Sequence, residues 1–569
     1  MLSLFFWAFL LPLDRILVVY FPAAIINALS YGGPFITVVI IAITFETVLM
    51  IIPMIEDVYN ICIRDRALLR VRLSINKNVY EKVLRTDYKY IDNPKYYDKY
   101  TWAVNEYASK AEEALSLVNN FVSSLVVIVA LIAVISVIGP WVLIIALLSI
   151  GSRTIAYIKT NKIDIKREEE FVPLNRWLDY IHRIFYHREY TADLKTTGLG
   201  RIIFGRYNIV KKQKIDVLTK YSKETIKWAL FADVIFRVAE CIIVIHIAHG
   251  IYTGNIASVG LYITLMLAVD QLINYIHTFF DLLRVGNHLS LHADKIREFY
   301  EMESEIEPEI ELEETGCDVT VMPFQLQLKD VCFAYENSLP IIAGLSLDIK
   351  AGEKIAIVGE NGVGKSTLVK LLLRLYDPLM GSISVNGSPI ADYDIHKLRK
   401  QIGVAFQSPN IYALTLKENM ELYDDNVTND NIFAAIKLAG LGGIAVEANF
   451  EKALTREFDQ DGIMLSGGNE QKVGLARLFT REFGLLILDE PSSALDPIAE
   501  YEMTKLLTGD FNRTTTIIIA HRLSSIRDVD RIAVMQGGRI KELGTHDELL
   551  KLNGVYCKMF ARQAENYVK

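Results

Sequence analysis

Two stretches carry residue types at spacings that fit phosphate chemistry. The first is Gly359-Glu360-Asn361-Gly362-Val363-Gly364-Lys365-Ser366-Thr367, which follows the short apolar run Lys354–Val358 and leads into a helical pattern. It has the form G-x-x-x-x-G-K-[ST] in a strand-loop-helix context. Its glycines let successive N–H groups turn inward as an anion nest. Lys365 supplies a point charge for the β and γ phosphates, and the Ser366 hydroxyl reaches Mg²⁺. By itself this pattern indicates a phosphate-loop NTPase.

The second stretch runs from Leu465 to Asp496, LSGGNEQKVGLARLFTREFGLLILDEPSSALD. Ser466, Gly467 and Gly468 at a helix start would present bare N–H groups and a positive dipole end to an anion. Leu485–Leu488 reads as a buried strand that delivers Asp489 and Glu490 at its carboxyl edge. An anion-binding helix start beside an acid pair able to hold a metal points to nucleotide hydrolysis.

The elements that position these residues follow from length and hydropathy. A chain of 569 residues exceeds what one core supports, so more than one domain is expected. The mean hydropathy of +0.25 is high for a soluble protein although 22% of the residues are charged, which requires apolar and polar segments to be segregated along the chain. The long apolar runs all precede residue 285. A net charge of −8 argues against nucleic acid as a partner. The cysteines Cys62, Cys241, Cys317, Cys332 and Cys557 have no metal or disulfide spacing and are expected to be reduced thiols. No cleavable signal peptide is expected, because the apolar N-terminus continues into a longer hydrophobic segment without a small-residue cleavage site.

Membrane spans, which need roughly 20 mostly apolar residues, are expected near 8–29, 35–55, 117–138, 141–159, 228–250 and 258–280. The short connections SYGGP, Gly139-Pro140 and GIYTGNIASVG contain no Lys or Arg. The two long connections are basic, with Arg64, Arg66, Arg70, Arg72, Lys77, Lys82 and Arg85 in the first. The second holds Lys159, Lys162, Lys166, Arg167, Lys211, Lys212 and Lys214. The positive-inside rule then puts the long connections and both termini in the cytoplasm. The long connections keep helical spacing and turn at two patches, DYKYIDNPKYYDKY (87–100) and YHREYTADLKTTGLG (186–200), expected to touch a cytosolic domain.

Charges within spans are costly and so informative. Asp233, Arg237 and Glu240 share one face of the fifth span, and Asp270, Asn274, His277, Asp281 and Arg284 one face of the sixth. Asp14, Arg15 and Glu46 add charge to the first two. Two readings stand: a hydrated cavity for a polar cargo, with Asp233, Arg237, Glu240, Asp270 and Asn274 as its candidate residues, or internal pairing such as Asp233 with Arg237. His246 and His249 sit near the outer interface and are read as incidental.

The acidic run 301–323 reads as a linker between a membrane domain (1–300) and a second domain (324–569) with short strands and helices. In the second domain Tyr335, the loop 359–367, Gln407, Leu465–Gln471, Leu485–Glu490, Ser493–Asp496 and His521 follow one another. This series resembles the ATP-binding cassette (ABC) transporters, LSGG being the specific mark, and the resemblance covers essentially the whole chain. It implies an α-helical six-span membrane domain fused to an α/β P-loop NTPase cassette, as in half-size exporters with swapped helices. It also assigns roles. Tyr335 would stack on adenine, Gln407 and Asp489 would attend Mg²⁺, and Glu490 would polarise the attacking water. His521 would contact the γ-phosphate, and Asp496 would link two sites.

Because the family's signature residues close on ATP held by another cassette, the resemblance implies a dimer, most simply a homodimer, with a related half-transporter as the alternative. One departure is Asn469, where the pattern has Gln; it keeps the amide with shorter reach. The patch YIDNPKYYDKY resembles bacterial peptide and lantibiotic exporters, so ATP-driven peptide export across a bacterial cytoplasmic membrane is expected. Export of a lipid or hydrophobic drug is the alternative, and a non-transporting ATP-gated channel or sensor a more distant one. With no Cys/His protease stretch before the first span, the chain is not expected to cleave a leader peptide.

Overall fold

The computed structural model describes residues 2–30, 34–138, 140–253, 259–302, 304–306, 323–336, 338–423, 427–443, 449–490 and 514–565. Most of the expected linker, Cys317 and Ser493–Asp496 lie outside them. The chain divides into two compact units, Met1–Val83 with Asp98–Glu301, and Leu84–Tyr97 with Met302–Lys569.

The first unit is helical. Its elements are α1 (Leu2–Ser30), α2 (Phe35–Tyr59) and, after a π turn at Asn60–Arg64, α3 (Asp65–Leu84). The short α4 (Tyr88–Asp92), which falls in the second unit, comes next in the chain, followed by α5 (Pro94–Ile138), α6 (Pro140–Tyr186), α7 (Thr191–Thr196), α8 (Leu199–Tyr252) and α9 (Val259–Tyr300). Each expected span falls in one of these helices. Pro94 and Pro140 open α5 and α6, where a missing N–H costs nothing. Among the described residues, Phe35–Leu84, Lys99–Ser136 and Ile263–Tyr300 are long and apolar enough to cross a membrane.

Val19, Val127, Leu131, Ile135, Ile243, Leu265, Leu272 and Ile276 form the unit's core, drawn from α1, α5, α8 and α9. At Gly260 a Cβ would collide with Asn27 and the Ala23 carbonyl, so this glycine lets α9 approach α1. The patch at 186–200 packs on its own helices: Ile181 and Ile184 of α6 meet Ile203 of α8, with Tyr190, Leu194 and Leu199 against them.

The second unit contains two sheets. An antiparallel sheet has the order β2 (Ile342–Ile349), β1 (Leu326–Phe333), β4 (Met380–Val385), β5 (Ser388–Pro389). The larger sheet runs β10 (Arg539–Gly544), β9 (Arg531–Gln536), β3 (Lys354–Val358), β8 (Thr515–Ile519), β7 (Leu485–Asp489), β6 (Ile402–Ala405), parallel except for β10. Ile355, Ile357, Leu485, Ile487, Ile517 and Ile519 bury one face against β1, β2 and α10 (Lys365–Leu372). Ala356, Val358, Leu486, Leu488 and Ile518 bury the other, with Leu475, Leu549 and Tyr556. Burial on both faces explains why these strands read as unbroken apolar runs.

The helices that follow are α11 (Ile395–Lys400), α12 (Leu416–Met420), α13 (Asn429–Leu438), α14 (Gly467–Ala476), α15 (His546–Lys551) and α16 (Val555–Glu565). Capping boxes at Thr415/Glu418 and Thr545/Glu548 set the starts of α12 and α15. A separate core of Leu416, Met420, Ile432, Ile436, Val473 and Ala476 joins α12, α13 and α14.

Residues 84–97 belong to the second unit and interrupt the first. Asp87 is fully buried there. Its carboxylate accepts from Ser304 Oγ (2.6 Å) and from the backbone N–H of Glu305 (2.9 Å) and Ile306 (3.1 Å). Removing such an acceptor strands buried donors, at a cost of about 1–3 kcal/mol. Asp87→Ala is therefore expected to lower the melting temperature of the purified full chain by several degrees; an unchanged Tm would show that water replaces the clasp.

Candidate functional site

The carboxyl ends of the adjacent strands β3, β8, β7 and β6 deliver four groups to one edge of the sheet. β3 leads into the loop at 359–364, β8 into His521, β7 into Asp489 and Glu490, and β6 into Gln407. The crevice outside the carboxyl ends of an open parallel sheet is where such folds bind ligands. The register pairs Asp489 with Ile519 and Ala405 with Leu488, which aligns three of these ends.

In the loop, Gly362 (φ +80°) and Gly364 (φ +102°) occupy left-handed conformations open to glycine at little cost. A Cβ at Gly359 would strike the Met535 carbonyl. Lys365 is buried, and its Nζ donates to the carbonyls of Gly359 (2.8 Å) and Glu360 (3.0 Å). Burial pushes its ammonium pKa down, with Glu490 and Asp489 pulling the other way. The loop thus concentrates a cation that gains from an anionic ligand.

Glu490 sits at φ +51°, a strained conformation for a residue with a side chain. Its N–H donates to Ile519 O (3.0 Å), which fixes the turn after β7. One carboxylate oxygen lies 2.6 Å from His521 Nε2, and the other accepts from Gln407 Nε2 at 2.8 Å. Three residues separated by up to 114 positions in sequence (521 − 407) therefore meet on one carboxylate. Burial, and next the Glu490 charge, push the Asp489 pKa up, opposed by Lys365 and His521.

Tyr335 donates to or accepts from Thr367 Oγ1 (3.3 Å) and stands edge-on to Phe333 and Tyr376, with ring centroids 5.1 and 5.5 Å away. Ser366, Asn361 and Gly362 are exposed at the loop's mouth. Ser466 is the N-cap residue of α14, and its side chain makes no capping bond. Ser466 and Gly467 are exposed, with nothing within 4 Å of a Cβ at Gly467. Among the described residues, Ser466, Gly467 and Gly468 make no bond to the loop, Asp489 or Glu490. The structure gathers the loop, Gln407, Asp489, Glu490 and His521 together and leaves Ser466 and Gly467 exposed. Asp496 lies outside the described residues, as do the side chains of Asp14 and Arg15.

In the first unit the spans' charges pair in a way sequence reading missed. Asp233 accepts from Arg153 Nη2 (3.2 Å) of α6, whose Nη1 lies 2.7 Å from His277 Nδ1 of α9. The same guanidinium sits over the Phe236 ring at 4.8 Å. Arg237 pairs with Glu240 (2.7 Å) rather than with Asp233, and Asn274 donates to Asp270 (3.4 Å). Arg153 lies inside the expected fourth span, where a lone charge in an apolar run was the available signal.

A second missed residue is Gln563 of α16. Its Nε2 donates to His521 O (2.6 Å), and its Oε1 accepts from Leu523 N (2.9 Å). It thus clamps both sides of the His521 segment. Nothing local in sequence marks it, since only the fold brings α16 to β8.

Residues 342–493 match the family model described as ABC transporter. This domain belongs to the ABC transporters. The whole chain has the fold of a half-size ABC exporter: a bacterial Atm1-family ABC exporter with ATP bound superposes with TM-score 0.80 over 99% of this chain and 98% of that one, at 23% identity. The subtilin transport ATP-binding protein SpaT of Bacillus subtilis is 29% identical over 91% of this chain and 83% of its own length. An ATP-dependent lipid A-core flippase of Psychrobacter arcticus is 37% identical over 45% of this chain and 43% of its own length. Against several curated relatives the chain aligns over less than half of their length, down to 19% for ABC transporter B family member 2 of Dictyostelium discoideum.

Losing a residue that orients a reacting group typically costs about 10- to 100-fold. For Gln563→Leu, the lower part of that range is expected in kcat for nucleotide hydrolysis, with KM within about twofold. A variant with unchanged kcat would show that His521 holds its place without this clamp.

Proposed function

We propose that this chain is one half of an ATP-driven exporter that hydrolyses ATP at the edge of its parallel sheet. The observation that carries this is the Glu490 carboxylate held between Gln407 and His521, at the same edge of the sheet as the loop carrying Lys365, with β8 between the two strand ends. Such a carboxylate can orient a water and take its proton as the γ-phosphoryl leaves. Lys365 would exchange its carbonyl partners for β- and γ-phosphate oxygens, and the inward N–H groups of 359–364 would carry the remaining charge. His521 would release one Glu490 oxygen and turn to the γ-phosphate, and Tyr335 would stack on the base.

The donor set fits Mg²⁺. Among the described residues no cluster of three His, Cys, Asp or Glu could form a protein cage. That suits an ion which keeps waters and shares phosphate oxygens. Asp489, Ser366 and Gln407 would hold it, and the half-buried Asp489, its charge disfavoured by burial and by Glu490, gains from a neighbouring cation. The ion would supply charge neutralisation on the phosphates.

A second copy of this chain, or a related half-transporter, would complete the site: Ser466 and Gly467 are exposed, and among the described residues they make no bond to the chain's own loop. The protein would sit as a multi-pass protein in a bacterial cytoplasmic membrane with its cassette in the cytoplasm. Peptide is the favoured cargo: the similarity to the subtilin transport protein extends over 91% of the chain, whereas that to the flippase extends over 45%. A lipid cargo remains the second reading. Asp233, Arg237, Glu240, Asp270 and Asn274 would line the passage, with Arg153, itself in contact with His277, holding Asp233.

Replacing a general base typically costs about 10²- to 10⁴-fold. Glu490→Gln is expected to cut steady ATP hydrolysis by at least about 100-fold while ATP binding persists, measured on the full chain in nanodiscs. Undiminished hydrolysis would remove Glu490 from the mechanism. Neutral replacements of Arg237 and Asp270 should change cargo-stimulated hydrolysis but not the basal rate; no change with any peptide tested would favour internal pairing.

A further inference from the structure

The helix that follows the phosphate loop carries Lys370 to the middle of an aromatic cluster. Its Nζ lies 5.1 Å from the Tyr88 ring centroid, 5.4 Å from that of Tyr335 and 5.8 Å from that of Tyr376. The same nitrogen donates to Asp92 Oδ2 at 2.8 Å, and the Tyr376 hydroxyl donates to that oxygen at 2.8 Å. Asn93, next in sequence, donates to the Glu336 carboxylate beside Tyr335. Burial disfavours the Asp92 charge, but the bonds from Lys370 and Tyr376 outweigh it and hold the carboxyl below the usual range. The group is ionised and firmly paired.

On the Asp92 side the Tyr335 ring borders a cleft of about 640 Å³ lined by Tyr90, Asp92, Tyr96, Tyr335 and Tyr376 among others. The half-buried ring packs on the cassette core and borders this space, and its further contacts are the Thr367 hydroxyl, the edges of Phe333 and Tyr376, and the Lys370 cation. Two of these, Lys370 and Tyr376, are themselves held by one carboxylate, which comes from the 84–97 segment and not from the cassette sequence.

We infer that Asp92 is a positioning residue for the adenine platform, acting through Lys370 and Tyr376 to hold the Tyr335 ring where the base stacks. The inference rests on the ATP reading of this site. Affinity for the base then depends on the 84–97 segment being docked. Because coupling between two binding events is reciprocal, bound ATP strengthens that docking by the same factor. Lys365 and the loop glycines, which would hold the triphosphate, make no contact with Asp92 among the described residues.

The test uses the full chain in nanodiscs and two ligands: ATP, and Mg-tripolyphosphate, which has no base, as a competitive inhibitor. Losing an aromatic–cation arrangement of this kind is worth about 2- to 30-fold. Asp92→Asn is expected to raise KM for ATP about fivefold with kcat within about twofold and tripolyphosphate inhibition unchanged. Asp92→Glu should recover part of the ATP KM, and Asp92→Asn added to Tyr335→Ala should raise KM no further. Parallel loss of ATP and tripolyphosphate affinity would mean that Asp92 serves the domain's structure as a whole, and an unchanged ATP KM would mean that Tyr335 holds itself. Either result overturns the inference. If Tyr335→Ala leaves the ATP KM unmoved, the base-stacking reading fails first and the inference falls with it.

Discussion

A parallel sheet buried on both faces has its strand ends as the place to present chemistry. In the cassette, Ile355 and Ile357 point to one core and Ala356 and Val358 to the other, so β3 offers a ligand nothing along its length. The same holds for β7 and β8. All their useful groups must come after the last buried residue, at the carboxyl edge. The cost is visible at Glu490, whose φ of +51° turns the chain sharply so that its carboxylate reaches Gln407 and His521. A rigid, apolar sheet is what makes that turn affordable. Strain in a mobile loop would relax, and the three-residue meeting would be lost.

The helical unit solves the opposite problem. Some of its charged side chains pair within one helix, as Arg237 does with Glu240, and others pair across helices. Arg153 joins α6 to α8 through Asp233 and to α9 beside His277, while Arg284 lies between Asp281 and Asp164. The contacts of Arg153 with Asp233 and His277, and of Arg284 with Asp164, tether helices whose apolar surfaces would otherwise slide, because lipid offers no hydrophobic drive to hold one helix against another. Pairing and passage are compatible uses of the same residues. A carboxylate whose partner comes from a different helix changes its surroundings whenever those helices shift.

The segment 84–97 shows how a connection can be structurally part of the domain it visits. Asp87 closes it onto residues 304–306, and Asp92 and Asn93 reach Lys370 and Glu336. Both acids of the segment, Asp87 and Asp92, are used in these contacts.

The sequence by itself determined a great deal here. Glycine spacing before Lys365, the apolar strand ahead of Asp489, and the LSGG helix start each encode their local geometry within a few residues. Local geometry is what short-range sterics and hydrogen bonding decide. The long helices were equally legible, since a span of apolar residues has few other uses. What only tertiary structure decided were partnerships across the chain. Pairing of Asp233 with Arg237, four positions away on its own helix, was one of two readings, and Asp233 instead meets Arg153, 80 positions earlier. Gln563 was not suspected at all, and Asp92 sat in a patch whose contacts could be guessed only in outline. The reason is the same in each case. A helix or strand announces its own period, but which face meets which neighbour depends on how every other element packs.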